Sequence, residues 1–384
     1  MYKYKFIVSR KFQVNRYLGY IKFYGIEKHD VEFFDVTNWT GGDCGIDFPY
    51  KFNRKVLERP KILRNISFGN YFHYLVCLVL IFNSIITALF SRKVESNVIF
   101  IDQYFSPFEV FALTKCLSKN NLVIVHQHAL NCQNQLDRNF FKDMFELITH
   151  KLIKNIFYIV MFKIRYVAFA TSISGKDSFS KSLKGINAYL VGDINLTKIV
   201  ESNVTNKTRT IIDCVGIISP GMYRYNSKTL ALAQSDFFKT AEEAAKCLFE
   251  DINLIYRLKA GEPLNLFTKV KKSDMDQDFY DFLESTDVII TSSVSSTWLE
   301  GLLFGKGVVI VQNETLEKEY PIMSDLFLDV LDNFSYRTTI KSLGNNSFYI
   351  PKDNIKELRI FLLEKITPFC DPFKLIGKLQ WQKL

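Results

Sequence analysis

Ser285-Thr286-Asp287-Val288-Ile289-Ile290-Thr291-Ser292-Ser293-Val294-Ser295-Ser296-Thr297-Trp298-Leu299-Glu300-Gly301-Leu302-Leu303-Phe304-Gly305-Lys306-Gly307-Val308-Val309-Ile310 is a chain segment with two changes of period. An apolar run over 288–291 reads as a buried strand, 297–304 as a helix, and 308–312 as a second strand. From the strand end to the first helical residue run five hydroxyl residues in close succession, Ser292, Ser293, Ser295, Ser296 and Thr297. Backbone amides and hydroxyls that converge on the positive end of a helix suit a phosphate. Glu300 follows Thr297 by three positions, and a carboxylate there can accept hydrogen bonds from a ribose. The plain alternative is a capping box, Thr297-Trp298-Leu299-Glu300, which any helix starting there could use. Capping alone leaves the cluster of hydroxyls before it unexplained.

The same alternation extends in both directions. Towards the C-terminus it continues to the end of the chain, and a parallel, doubly wound sheet is expected for the second half. Upstream, strands are expected at 210–218 and 253–258, with helices at 240–250 and 279–285. The first half reads as strands at 5–9, 31–36, 97–102, 122–125, 166–170 and 188–191, with helices at 12–24, 107–117 and 174–183. Residues 37–45 are rich in turn formers and read as a loop. Between 197 and 209 polar residues dominate, which marks a linker. The length of 384 residues suits two α/β domains. We expect them at 1–200 and 209–365, with 366–384 a segment that crosses back to the first.

Composition narrows the partners. Lys and Arg exceed Asp and Glu by nine, an excess spread along the chain that favours anionic partners. Nucleic acid is not expected, because neither zinc-ligand pairs nor an aromatic ribonucleoprotein box occurs. The seven cysteines form no CxxC pair and read as reduced, mostly buried thiols. The opening residues hold no apolar signal region, so a cytoplasmic protein is expected. Residues 74–90 carry no charge and are followed by Arg92 and Lys93. Asn83, Ser84 and Thr87 interrupt the run, so a buried or membrane-resting helix is expected rather than a span. A basic, aromatic helix over 151–165 suits either an anionic membrane or an ordinary surface.

Three patterns are set aside. Asp274-Met275-Asp276-Gln277-Asp278 has the metal-binding Asp-x-Asp form but precedes a helix, so no metal and no cofactor is expected. Ser174-Gly175-Lys176-Asp177 lacks the upstream glycine of a P-loop, and no GxGxxG occurs. A Gly-x-Ser-x-Gly elbow is also missing.

The segment from Ser285 to Ile310 resembles the donor-binding segment of GT-B glycosyltransferases, in which an acidic residue, a strand, a Ser/Thr-rich loop, a helix glutamate and a Gly-Lys-Pro turn recur. Here Gly307 stands where proline is usual. A looser resemblance reaches the CMP-sugar sialyl and Kdo transferases and the CDP-glycerol polymerases, through Ser295-Ser296 or Ser292-Ser293. Their His-Pro pair is missing, and Lys259-Ala260-Gly261 stands at the corresponding strand end, with Lys259 able to supply a positive charge. Gln127-His128-Ala129 resembles the Gln-His-Gly element of GT-B relatives.

The resemblance implies an α/β fold of two Rossmann-like domains facing across a cleft. It further implies a nucleotide sugar bound by Ser292, Ser293, Ser295, Ser296, Thr297, Glu300 and Lys259. His128 becomes the general base, with Asp102 the alternative. The expected acceptor is a growing surface polysaccharide, capsule or lipopolysaccharide, or its lipid-linked precursor, met at the inner membrane face. A glycerophosphotransferase, a nucleotide-sugar 2-epimerase and a non-catalytic assembly partner remain open on the same fold, and in the last of these His126 and His128 would be dispensable.

Overall fold

The computed structural model describes residues 3–9, 11–23, 26, 29–39, 52–58, 61, 79, 80, 82, 86, 96–102, 107–117, 120–127, 165–171, 173–182, 186–193, 199, 212–222, 228–258, 271–272, 279–319, 325–339, 347–352, 354–366 and 372–381. By contact, the described residues up to 193 together with 372–381 form one unit, and 199–366 form another. The stretches 128–164 and 200–211, which hold His128, the basic segment 151–164 and most of the linker, lie outside the described residues, as does Lys259.

The first unit runs β1 (Lys3–Val8), α1 (Lys11–Phe23), β2 (Asp30–Asp35), β3 (Asn53–Val56), β4 (Ser96–Asp102), α2 (Pro107–Cys116), β5 (Asn120–His126), β6 (Arg165–Ala170), α3 (Ile173–Ser182) and β7 (Asn187–Leu190). Its sheet has the order β3-β2-β1-β4-β5-β6-β7, parallel throughout. Strands covered on both faces must be apolar on both, which is why the central ones read as continuous Val, Ile and Phe. Phe6 of β1 stacks on Phe33 and Phe100 of its two neighbours, at ring-centroid distances of 5.4 and 4.7 Å. Strand β3 gave no sequence signal because all four of its side chains are exposed. It is a polar edge strand, tied to the sheet by Arg54, whose Nε and Nη2 donate to Asp35 Oδ2 at 2.9 and 2.6 Å.

The second unit runs β8 (Cys214–Ile218), α4 (Lys228–Leu248), β9 (Asn253–Arg257), β10 (Lys271–Lys272), α5 (Phe279–Glu284), β11 (Val288–Ser292), α6 (Thr297–Leu303), β12 (Gly307–Gln312), α7 (Glu314–Glu319), α8 (Asp325–Phe334), β13 (Ser335–Thr339), β14 (Ser347–Pro351) and α9 (Ile355–Ile366). A last helix, α10 (Pro372–Trp381), packs in the first unit, where Ile376 and Leu379 join the cluster around Phe6 and Tyr17. The second sheet has the order β10-β9-β8-β11-β12-β14-β13.

Two expectations are corrected here. The sheet is mixed, since β14 runs antiparallel to both β12 and β13. The stretch 340–346 is too short for the helical crossover that a parallel partner would need. Helix α4 begins at Lys228 rather than near 240, because Leu230, Ala233, Phe237, Ala241 and Ala244 continue one buried face.

Of the cysteines that are described, Cys116 is buried, Cys214 half-buried and Cys247 exposed.

Two buried phenols set the alkaline limit of the fold. Burial raises the pKa of Tyr17 well above its ordinary value, with the charge of Asp102 adding to the shift. Tyr256 is raised by burial and then by its hydrogen bond to Glu242. The folded state therefore holds these protons more tightly than the unfolded state does. That contribution is complete below the ordinary tyrosine value of about 10 and is lost as pH rises beyond it. Stability is expected to fall steeply above about pH 10, with part of the phenolate absorbance appearing only together with unfolding.

Candidate functional site

In doubly wound sheets, ligands bind beyond the carboxyl ends of the strands, where the strand order reverses. In the second sheet that point lies between β8 and β11. Beyond β8 comes Ser219-Pro220-Gly221, with Gly221 at φ 79°, a value that favours glycine. Ser219 is fully buried, and its Oγ accepts from the Gly221 amide at 3.0 Å and from Gln234 Nε2 at 3.2 Å. The first wall of the site is therefore braced from within by α4.

Beyond β11 the turn 293–296 leads into α6. Ser296 takes the N-cap position without making a side-chain cap bond. Glu300 does not close a capping box: its Oε1 lies 3.5 Å from Ser296 Oγ, at the limit of a hydrogen bond. The Leu299 and Glu300 amides turn back to the Ser296 carbonyl, while the amides of Thr297 and Trp298 fall in the uncapped first turn.

The hydroxyls divide into two groups. Ser293 Oγ donates to Glu317 Oε1 at 2.6 Å, and Glu317 Oε2 accepts from Gln312 Nε2. Thr297 Oγ1 meets Thr291 and Ser295 hydroxyls at 3.1 and 2.9 Å. Ser292 Oγ is buried and has no partner. Ser292, Ser293 and Ser295 are buried, whereas Ser296, Thr297 and Glu300 are half-exposed and able to meet a ligand.

Trp298 fixes this turn from beneath. Its ring is wholly buried, Nε1 donates to the Ser293 carbonyl at 3.2 Å, and the indole packs edge-on against Phe327. A side chain at Gly301 would place its Cβ 2.2 Å from Ile289 Cδ1, so glycine lets α6 approach β11 closely. Sequence reading missed Arg257, the cation at the end of β9, which stands over the rings of Phe279 and Phe282 at 5.5 and 5.4 Å. Its strand end was legible; the two rings beneath it come from α5 and were not.

In the first sheet the order reverses between β1 and β4. Asp102 ends β4 there and is buried. Gln13 Nε2 donates to Asp102 Oδ2 at 3.1 Å and to Glu109 Oε1 at 3.0 Å, and Ser9 Oγ donates to the same Glu109 oxygen at 2.8 Å. Two buried carboxyl groups thus lean on one carboxamide at the sheet end. His126, the register partner of Asp102, is buried between the Tyr20 hydroxyl at Nε2 and the Gln127 carbonyl at Nδ1.

Gln127 Oε1 accepts from the Thr171 amide at 2.7 Å. A Cβ at Gly175 would lie 1.9 Å from that oxygen. Gly175→Ala is expected to eject the Gln127 side chain and orphan the amide, costing about 2–4 kcal/mol, measurable by urea denaturation.

Both sheets carry the Rossmann strand order around one reversal point, and the two units follow one another in a single chain. The chain has a GT-B fold. No protein-family model and no curated protein matches the sequence. Solved structures similar to it include a glycosyltransferase from Rickettsia africae, at 13% identity and TM-score 0.47, covering 95% of this chain and 94% of the other. MnaA of S. aureus in its UDP co-structure is similar at 11% identity and TM-score 0.45, with 84% and 90% covered. UDP-N-acetylglucosamine 2-epimerase of Rickettsia bellii is similar at 12% identity and TM-score 0.39, with 79% and 76% covered. The strand orders, not these likenesses, carry the fold.

Proposed function

We propose that this GT-B chain is a glycosyltransferase that moves a sugar from a nucleotide-activated donor to a growing surface polysaccharide or its lipid-linked precursor. The observation that carries the reading is the reversal point between β8 and β11, where Ser296, Thr297 and Glu300 stand half-exposed beside an uncapped first turn. Amides and hydroxyls there would hold the diphosphate, and Glu300 the ribose. Charge that develops on the departing phosphate would meet donors already in place, which lowers the barrier without a metal. Arg257, and Lys259 two residues beyond it, would add positive charge. Ser293 and Ser295 would serve by holding the turn in shape.

On the acceptor side, the Gln127-His128-Ala129 resemblance supports His128 as the base that takes the proton of the attacking hydroxyl as the bond from the anomeric carbon to the phosphate oxygen breaks. Asp102, buried at the end of β4, is the alternative base. His126, bonded at both ring nitrogens, would serve structure.

The test is incubation of the full chain with a panel of nucleotide sugars, with and without saccharide acceptors, in EDTA. Nucleotide release that needs the acceptor and survives EDTA is expected. An epimerised donor without acceptor would replace the reading with the epimerase, and phosphate retained in the product would replace it with glycerophosphate transfer.

A further inference from the structure

Helix α1 turns Gln13, Arg16 and Tyr20 towards the carboxyl end of the first sheet. Their spacing, i, i+3 and i+7, puts them on one face of the helix. Gln13 and Tyr20 are buried and Arg16 is half-buried. The inward stripe of a surface helix is normally apolar, as Val14 and Ile21 are in α1. Polar side chains turned inward beside them need partners. Gln13 finds Asp102 and Glu109. The bonds of Arg16 and Tyr20 converge on the end of β5, at His126 and Gln127.

Gln127 is held at every polar group of its main chain. Its amide donates to the Phe169 carbonyl at 3.0 Å. Its carbonyl oxygen takes two bonds, from Arg16 Nη1 at 3.3 Å and from His126 Nδ1 at 2.8 Å. A carbonyl only accepts, so Nδ1 of His126 carries a proton, and Nε2 of the neutral ring accepts from the Tyr20 hydroxyl. Tyr20 thereby fixes the tautomer, and its ring packs edge-on against the imidazole at 5.1 Å. The Gln127 side chain is tied as well, through Oε1 to the Thr171 amide. A bond from a guanidinium is charge-assisted and stronger than one between neutral groups, yet here it goes to a single main-chain oxygen. That oxygen belongs to the peptide that joins Gln127 to His128. A peptide unit is planar, so donors that orient its oxygen also orient the bond leading into the next residue.

We propose that Arg16 is a positioning residue for the transfer reaction: with His126 it fixes the peptide that leads into His128. Tyr20 supports it by holding the His126 ring. The inference rests on the proposed role of His128 as base and gives that base its anchor in α1.

The test pairs the kinetics of acceptor-dependent nucleotide release with amide hydrogen exchange, both on the full chain. Arg16→Ala should lower kcat by about 10- to 100-fold, the cost of misplacing a reacting group by about 1 Å, with KM for the donor little changed. Arg16→Lys keeps a cation and a donor and should recover part of kcat. Tyr20→Phe should act in the same direction with a smaller effect. In a His128→Ala background Arg16→Ala should cost little more, because residues that act as a unit are not additive. Exchange of the Gln127 amide should quicken in Arg16→Ala while the melting temperature stays near that of the parent chain. Unchanged exchange would overturn the proposal, and so would an equal loss of kcat in both backgrounds. A parent-like kcat in His128→Ala would remove the base instead. That outcome is told apart from failure of the anchor by the exchange of Arg16→Ala, which would still quicken.

Discussion

Trp298→Ala is expected to cost the second unit about 3–5 kcal/mol, the range for removing a large aromatic from a packed core. Trp298 is wholly buried, and Leu299, Leu302, Phe327 and Leu331 belong to the cluster it fills. Truncation leaves a cavity beneath α6 and takes the indole donor from the Ser293 carbonyl. For a unit of this size the loss corresponds to a melting temperature lower by roughly 10 °C. Trp298→Phe should recover much of the packing but not the hydrogen bond. Calorimetry of the two variants separates these contributions, and the nucleotide response should weaken with both, because the turn 292–297 rests on this ring.

Glu300→Ala is expected to weaken nucleotide binding about 10- to 100-fold while leaving the melting temperature of the unliganded protein within about 1–2 °C. A hydrogen bond to a charged group contributes about 1.5–3 kcal/mol, whereas Glu300 is half-exposed and closes no capping box. Ser296→Ala should act in the same direction with a smaller effect. Ser293→Ala should do the reverse, lowering stability through the Glu317 hydrogen bond with little direct effect on affinity. Isothermal titration with the nucleotide that stabilises the parent chain, paired with thermal melts, distinguishes these patterns.

The strands and helices that the sequence disclosed are those whose burial is set locally. Val288-Ile289-Ile290 is apolar on both faces because the sheet is covered on both, and that signal survives without any knowledge of neighbours. Strand β3 could not be read, since an exposed edge needs no apolar pattern. In sequence the β13–β14 hairpin reads as continued alternation, because strand direction depends on the length of the connection rather than on the strand's own residues. The first turns of α4 were missed although their spacing was visible in Leu230, Ala233 and Phe237.

In the candidate site, the turn after β11 was legible from its position between strand and helix. Which hydroxyls face outward was not. Ser293 finds Glu317 twenty-four positions away, and Thr291, outside the hydroxyl cluster read from sequence, supplies the partner that holds Thr297. The brace of Ser219 by Gln234 likewise joins residues whose relation only the packing of α4 on β8 creates.

Amide hydrogen exchange of the full chain, with and without the stabilising nucleotide, tests the placement of the donor most directly. Slowed exchange confined to 219–222 and 293–300, and lost in Glu300→Ala, is the result predicted. Protection centred on the strand ends of the first unit, with 293–300 unchanged, would contradict it.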